Sequence, residues 1–280
     1  MGTANMLLGA AGPFLFITTV SANQTDYNLY NAMIAAGWDG QRTVNVNLTI
    51  DAGVIFSSSA NTIPAFTIAN IPANSSIYIT NNGYIVGRGG QGVGKGSPSA
   101  TDFNLTAPSY ANGGTAFSTT FAVSINNLNG TIGGGGGGGG AGGNQSSDCS
   151  CSGCGGVNIV GIGIGGGGAG FGSAGQGYSW WKNNALWWSP LTASDAGTLS
   201  AGGTAYFAQY SSGVRTSGGT GGAGGGLGQP GSNGTGGTTA RCSGYANYWT
   251  PGTGGAAGAC TSGNSNITWV NNGIRLGALN

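Results

Sequence analysis

The chain has 280 residues, 63 of them glycine, yet its apolar fraction is 39% and it carries seven Trp, ten Tyr and nine Phe. So much glycine argues for disorder, because each glycine loses extra backbone entropy on folding, but this aromatic content excludes the apolar-poor composition of a disordered chain. Seven Lys or Arg and six acidic residues, all Asp, leave a net charge of +1 with no Glu or His; cations scattered from Arg42 to Arg275 form no phosphate-binding stripe, so nucleic acid is not an expected partner.

In chain order the first feature is the apolar segment Met6 to Ala22. It has the apolar core and small-residue end of a secretory signal, but no basic residue precedes Arg42, and Pro13 with its neighbouring glycines makes it a poor membrane span. It is expected to be a docking or core element, and no transmembrane helix is expected. Residues 25–37 follow with a helical pattern: Thr25 or Asp26 as cap, Leu29, Met33 and Ala36 on one face, Gly37 at the end. From Thr43 to Ile50 the period falls to two, with Val44, Val46, Leu48 and Ile50 on one side, which predicts a half-buried strand.

A local motif then recurs: an apolar strand end, a turn ending in glycine, and a second short apolar stretch. Its copies are 48–56 (LTIDAGVIF), 77–87 (IYITNNGYIVG), 123–133 (VSINNLNGTIG) and 267–277 (ITWVNNGIRLG). Asn-Gly in the last three suits turns that need a positive φ. The copies are either unrelated hairpins or stacked rungs of one β platform with very unequal insertions between them.

Between Gly87 and Gly263 glycine tracts alternate with aromatic or polar segments. The tracts run over 87–96, 133–143, 161–177, 213–238 and 251–258, and Gly219, Gly222, Gly225, Gly228, Gly231, Gly234 and Gly237 hold one period-three register. Period three is the turn of a polyproline-II helix, whose amides point sideways and have no partner within the helix. Several such helices side by side can satisfy one another where no Cβ holds them apart; a flexible linker is the bland alternative.

The octaglycine Gly133 to Gly140, the strand-turn NNGYIVG leading into GRGGQG, and tracts separated by aromatic loops resemble, in style and over residues 80–265, the distal tail-fibre adhesins of T-even-like bacteriophages. The resemblance does not extend to the first 80 residues. It implies a bundle of polyglycine-II helices whose end loops bind a host outer-membrane protein or surface glycan. It also implies an extracellular place at the tail-fibre tip of the virion, and attachment through the N-terminal region to another tail-fibre or tail protein, as a single chain or a homotrimer. The expected fold is therefore mainly β and irregular. A small β-rich, solenoid-like platform with one short helix spans 1–86, with 121–133 and 266–280 returning to it, and a polyglycine-II adhesin region spans 87–265. The competing function is an extracellular glycine-rich structural or ice-binding protein, whose flat face of small residues the Trp segments would disturb.

Catalytic material is sparse: without imidazole no serine or cysteine triad can form, and Asp26, Asp39, Asp51, Asp102, Asp148 and Asp195 are scattered. No enzyme and no cofactor are expected. Gly87, Gly89 and Gly92 mimic a dinucleotide fingerprint and Gly89–Lys95 a phosphate loop, but the first lacks its helix and the second has Gly96 where Ser or Thr should hold magnesium. Cys149, Cys151, Cys154, Cys242 and Cys260 leave disulfides, free thiols and a thiolate metal site open, although no paired C-x-x-C knuckles support metal, and no metal site is assigned. The most informative stretch is 178–210. Tyr178, Trp180, Trp181, Trp187, Trp188, Tyr206, Phe207 and Tyr210, with Tyr245, Tyr248 and Trp249 in the next loop, are the candidate receptor-binding residues. Such rings either cap the bundle as a satellite core or form a contact surface, since Trp and Tyr offer large contact area at low entropy cost.

Overall fold

Alternation along Val44–Ile50 buries Val44, Val46, Leu48 and Ile50 and exposes Asn45 and Asn47, and the same inward-outward rhythm repeats in the strands stacked above and below. The computed structural model describes residues 12–93, 111–142, 164–175, 194–205, 219–236 and 251–280, with the backbone of strands at 145–147, 158–160, 178–182, 186–190 and 246–248.

The strands form a coil with three sheet faces. The first turn is β1 (Phe14–Val20), β2 (Gln24–Thr25) and β3 (Tyr27–Asn28), and the second is β4 (Val44–Ile50), β5 (Ile55–Ser57) and β6 (Phe66–Ile68). The third is β7 (Ser76–Asn81), β8 (Tyr84–Val86) and β9 (Phe117–Thr119). The fourth opens with β10 (Val123–Asn126) and β11 (Thr131–Gly133). Five strands then fall in a long excursion: β12 (Gln145–Ser147), β13 (Asn158–Val160), β14 (Tyr178–Lys182), β15 (Leu186–Pro190) and β16 (Ala246–Tyr248). β17 (Thr261–Ser262) completes the fourth turn, and β18 (Ile267–Asn271) and β19 (Ile274–Leu276) begin a fifth. The faces are β1-β4-β7-β10-β18, β2-β5-β8-β11-β19 and β3-β6-β9-β17, parallel throughout. The four copies of the sequence motif are thus rungs of one platform, each spanning the corner from first face to second.

Parallel stacking puts like residues in register, and the interior is built from those columns. Leu48, Ile79, Ile125 and Trp269 align on the first face, Phe56, Ile85 and Ile132 on the second, and Tyr27, Phe66 and Phe117 on the third. Rings of the last column meet edge to face, Tyr27–Phe66 at 5.1 Å and Phe66–Phe117 at 5.2 Å between centroids. Each fully buried side chain of this size contributes about 1.5–3 kcal/mol. The apolar segment around Pro13 supplies the outermost rung: Phe14, Phe16 and Val20 pack on the core while Leu15 and Ile17 stand 61% and 74% exposed. Residues 6–11 of that segment lie outside the described residues.

The helix is shorter than the sequence pattern suggests. α1 covers Leu29–Ala35, buries Leu29 and Met33, and is capped by Asn28, whose Oδ1 accepts from the Asn31 N–H at 3.1 Å. Thr25 lies in β2, and Asp26 takes a left-handed φ of 53° and accepts from the Ser59 hydroxyl at 2.5 Å, so neither caps it. The first turn of the coil uses residues through 28 and delays the helix. Gly37 ends it at φ 94° as expected.

The Asn-Gly turns also differ in cause. Only Gly273 has a positive φ, of 54°; Gly83 and Gly130 do not. A Cβ at Gly83 would meet the Val54 carbonyl at 2.3 Å, and one at Gly130 the Asn81 Nδ2 at 2.4 Å. These corners need glycine because the neighbouring turn of the coil passes too close for a side chain.

Both long excursions leave the same corner, between second and third faces: one from Gly87 to Gly113, the other from Gly134 to Gly258. Their tracts lie side by side. The octaglycine is at the centre, with successive residues turned in three directions that recur every third residue. Gly135 and Gly138 donate to Gly114 and Ala111, Gly136 and Gly139 to Ala169 and Gly166, and Gly137 and Gly140 to Gln229 and Ser232, at 2.7–2.9 Å. Its carbonyls accept from Gly87, Gly90 and Val93, from Gly222, Gly225 and Gly228, and from Gly255 and Gly258. Six segments therefore surround it, and residues 133–142 are all buried. That enclosure explains an unbroken run of glycine here, while outer tracts keep side chains such as the exposed Thr220 and Ala223 at every third place. Two members were missed from sequence: Ala111–Gly114, too short to read as a tract, and 194–204, hidden inside the aromatic stretch.

Among the described residues no helix is long and apolar enough to cross a membrane.

Candidate functional site

The tracts run back and forth between two ends. At the platform end they turn at 169–172, 198–201 and 226–229; Gly170 donates to Thr198, Gly228 to Gly134, and Gly134 to Leu276 of β19. At the other end lie the residues that flank 94–110, 143–163, 176–193, 206–218 and 237–250. Backbone bonds tie these flanks together: Gly165 N–H to Val93, Gly140 to Ser232, Thr235 to Thr220 and Gly234 to Gly252. Every aromatic candidate falls, in sequence, within one of these intervals.

Tyr178, Trp180 and Trp181 fall in β14, Trp187 and Trp188 in β15, and Tyr248 in β16. β14 and β15 pair antiparallel, with Trp180 opposite Trp188 and Trp181 opposite Trp187, and β13 adds a third strand with Ile159 opposite Trp181. β12 pairs with β16, which sets Gln145 opposite Tyr248. Tyr206, Phe207, Tyr210, Tyr245 and Trp249 lie outside the described residues, as do Cys149, Cys151, Cys154 and Cys242.

The stretch 178–210 is not one loop. Residues 194–205 return into the glycine layer: the buried Ser194 hydroxyl donates to the Gly165 carbonyl at 2.6 Å and accepts from the Gly175 N–H at 3.1 Å. Asp195 accepts from the Gly167 N–H at 3.1 Å through its backbone, and its carboxylate accepts from the Thr204 hydroxyl. Two serines, an aspartate and three glycines in a run free of aromatics are the available signal.

The remaining features are structural. Cys260 is a free, buried thiol whose Sγ donates to the Ile132 carbonyl at 3.2 Å; burial pushes its pKa up to about 11. Burial likewise raises Tyr27 to about 12, whereas backbone N–H groups of Gln41 and Arg42 hold the Asp39 carboxyl below its ordinary range. A shallow cleft of about 140 Å³ lined by Ser59, Asn61, Arg88, Gln91 and Ser173 sits at the platform end. Phe171 is 39% exposed at φ 63° in the turn beside it, a position sequence reasoning did not single out. Among the described residues no cluster of His, Cys, Asp or Glu could hold a metal ion.

The described chain is thus a coil of parallel turns carrying a glycine layer, with the residues that flank the aromatic segments at the end of the layer away from the coil. The model of the family described as phage tail fibre adhesin Gp38 matches residues 15–280. The chain belongs to the phage tail fibre adhesin Gp38 family. The adhesin is accordingly a receptor-binding protein of the phage tail fibre rather than an enzyme, and the structural or ice-binding alternative is set aside. Its fold is similar to a chain in the crystal structure of the gp37–gp38 adhesin tip complex of the bacteriophage S16 long tail fibre. The TM-score is 0.51 and the identity 23%, over 95% of the adhesin and 82% of that chain. No curated protein matches it.

Proposed function

We propose that the adhesin holds its host receptor through the aromatic connections at the far end of the glycine layer, with Tyr178, Trp180, Trp181, Trp187, Trp188, Tyr206, Phe207, Tyr210, Tyr245, Tyr248 and Trp249 as the contact set. One observation carries this reading: the flanks of all these connections are bonded together at one end of a layer whose other end is fastened to the coil. Loops on a rigid support are the usual seat of recognition.

The tracts themselves are polyglycine-II helices in this proposal. Hydrogen bonds in three directions with period three are what a threefold helix without internal bonds requires of its neighbours. The platform, residues 1–86 with 121–133 and 266–280, is the attachment part, and 87–265 the recognition part. The first turn has neighbours on one side only among the described residues. Its half-buried Phe14 and Phe16 and exposed Leu15 and Ile17 suit the end of a second tail-fibre protein; the S16 structure is named as a complex of gp37 with gp38.

The test is exchange of 178–193, 206–218 and 239–250 for Gly-Ser connections of equal length, leaving 194–205 intact. Binding to host cells should be lost while the cooperative melt persists; retained binding would sink the assignment of the site.

A further inference from the structure

The tract 87–93 turns its residues in three directions, and only one of them can carry side chains. Gly87, Gly90 and Val93 donate to the octaglycine, while Gly89 and Gly92 donate to the Gly170 and Ser173 carbonyls at 2.8 and 2.9 Å. A Cβ at Gly89 would lie 2.2 Å from the Gly168 carbonyl, and one at Gly90 1.8 Å from that of Ala111. Arg88 and Gln91 occupy the third direction, on one edge and about 9 Å apart along a threefold helix. Where an outer tract places Thr220 and Ala223, this edge carries two long polar side chains, both half-buried.

Both line the platform-end cleft, together with Ser59 and Asn61 of the coil and Ser173 of a tract turn. The cleft is built on fixed backbone: the Arg88 N–H donates to the Ser58 hydroxyl at 3.0 Å, and Asn61 Nδ2 to the Asn112 carbonyl at 3.2 Å. The turn that leads to Ser173 holds Phe171 at φ 63°, a conformation that a bulky residue adopts at a cost.

The charged groups around the cleft are unequally satisfied. The carboxylate beside it, Asp26, already accepts from the N–H and the hydroxyl of Ser59 at 2.8 and 2.5 Å. Elsewhere in the coil Arg42 pairs with Asp39 at 3.6 Å, and Arg275 lies 4.7 Å over the Trp269 ring. Among the described residues the Arg88 guanidinium has neither an ionic nor a ring partner, and the Gln91 amide and Ser173 hydroxyl make no hydrogen bond. A guanidinium fork matches a carboxylate with two parallel charge-assisted bonds. Once that fork is used, the Gln91 amide and the Ser173 hydroxyl remain to meet hydroxyl groups. At about 140 Å³ the cleft is well below the roughly 300–1,000 Å³ of a drug-sized site, so it takes one small unit.

We infer that this cleft is a second binding site of the adhesin, for an acidic sugar. Arg88 takes the carboxylate, and Gln91 and Ser173 take ring hydroxyls. None of its residues belongs to the aromatic set proposed above, so the two sites can be lost separately. The neighbouring connection 94–110, outside the described residues, carries one charge of each sign, Lys95 and Asp102.

NMR titration of the full chain at low salt with glucuronate, glucose and acetate tests this, alongside Arg88→Gln, Arg88→Lys, Gln91→Ala and Asp102→Asn and a melting curve for each. Glucuronate should saturate one site with a dissociation constant of about 1 mM. Glucose, which lacks the carboxylate, and acetate, which lacks the ring, should each bind at least about tenfold more weakly. Arg88→Gln should lose at least about tenfold for glucuronate at an unchanged melting temperature, and Arg88→Lys should restore only part, since a point charge replaces the fork. Gln91→Ala should weaken glucuronate and leave acetate as it was, and Asp102→Asn should bind as the unaltered chain does. Absence of saturable glucuronate binding, or binding unchanged in Arg88→Gln, overturns the site. Glucose matching glucuronate overturns the anionic ligand, and acetate matching it overturns the sugar in favour of any carboxylate, a protein side chain included. Tighter binding by Asp102→Asn would show the guanidinium already paired in the unaltered chain, which also overturns the site.

Discussion

The side-chain amide of Asn81 donates to Oδ1 of Asn127 at 2.7 Å, and both residues are fully buried at one corner of the coil. Asn81 Oδ1 accepts from the Gly83 N–H at 3.1 Å, and Asn127 Nδ2 donates to the Asn272 and Ile274 carbonyls at 2.9 and 3.2 Å. One polar thread thus joins the third, fourth and fifth turns. Asn127→Ala removes three side-chain hydrogen bonds from this buried corner and should lower unfolding free energy by about 2–4 kcal/mol. Asn129→Ala, which removes only an exposed 3.3 Å contact to Asn82, should cost under about 0.5 kcal/mol. Denaturant titration of the two variants measures the difference.

Neighbouring glycines of the layer should behave oppositely. A Cβ at Gly138 would lie 2.0 Å from the Gln91 carbonyl, whereas at Gly226 the nearest atom is 3.8 Å away. Gly138→Ala should cost at least about 1–3 kcal/mol through overpacking. Gly226→Ala should be neutral or stabilise by up to about 1 kcal/mol, because it restricts the unfolded chain. Melting temperatures of the two single variants decide it.

Stability should change little between pH 5 and 8, for the chain has no His or Glu to titrate there. Above that window it should fall. Cys260, raised from 9.0 to about 11, and Tyr27, raised from 10.0 to about 12, are held neutral by the fold. Their contributions are complete below the unfolded values and vanish as pH climbs through the folded ones. Asp39 acts in the opposite sense: its depressed pKa adds stability that is lost as pH drops through the carboxylate range. Melting curves from pH 3 to 11 should show a broad plateau, and Cys260→Ser should shift its alkaline edge.

Leu15→Lys with Ile17→Lys should leave the melting temperature within about 2 °C, since both residues are exposed on β1. If the first turn is the attachment surface as proposed, co-purification with a second tail-fibre protein should be lost. Undiminished co-purification would move the attachment surface away from the first turn.

Legibility in the sequence followed the length of the local signal. The alternation of Val44 to Ile50 and the four strand-turn-strand copies mark the first two faces because each carries several residues of period two. The third face does not, because Thr261 and Ser262 are a two-residue strand whose partners, Phe117 and Ser118, come from beyond an excursion. Phe14 to Val20 was hidden by an apolar run that resembles a signal segment. The octaglycine was conspicuous, but its enclosure by six segments depends on pairings such as Gly138 with Ala111 that no local pattern encodes. At the far end the aromatic residue types were legible and their division between faces was not, for it follows from the register of β14 on β15.

Because the second excursion separates β11 from β17, the order of synthesis constrains when the coil can close. The fourth turn lacks its third side until Thr261 and Ser262 emerge, and the fifth turn, which bonds Leu276 to Gly134 and brings Gly277 close against Gly228, is made later still. The first three turns can nucleate early except for β9, but the glycine layer has no finished base until residues 261–277 have emerged. Loss of residues 261–280 should therefore be far more damaging to yield than the loss of an equal length from any far-end connection.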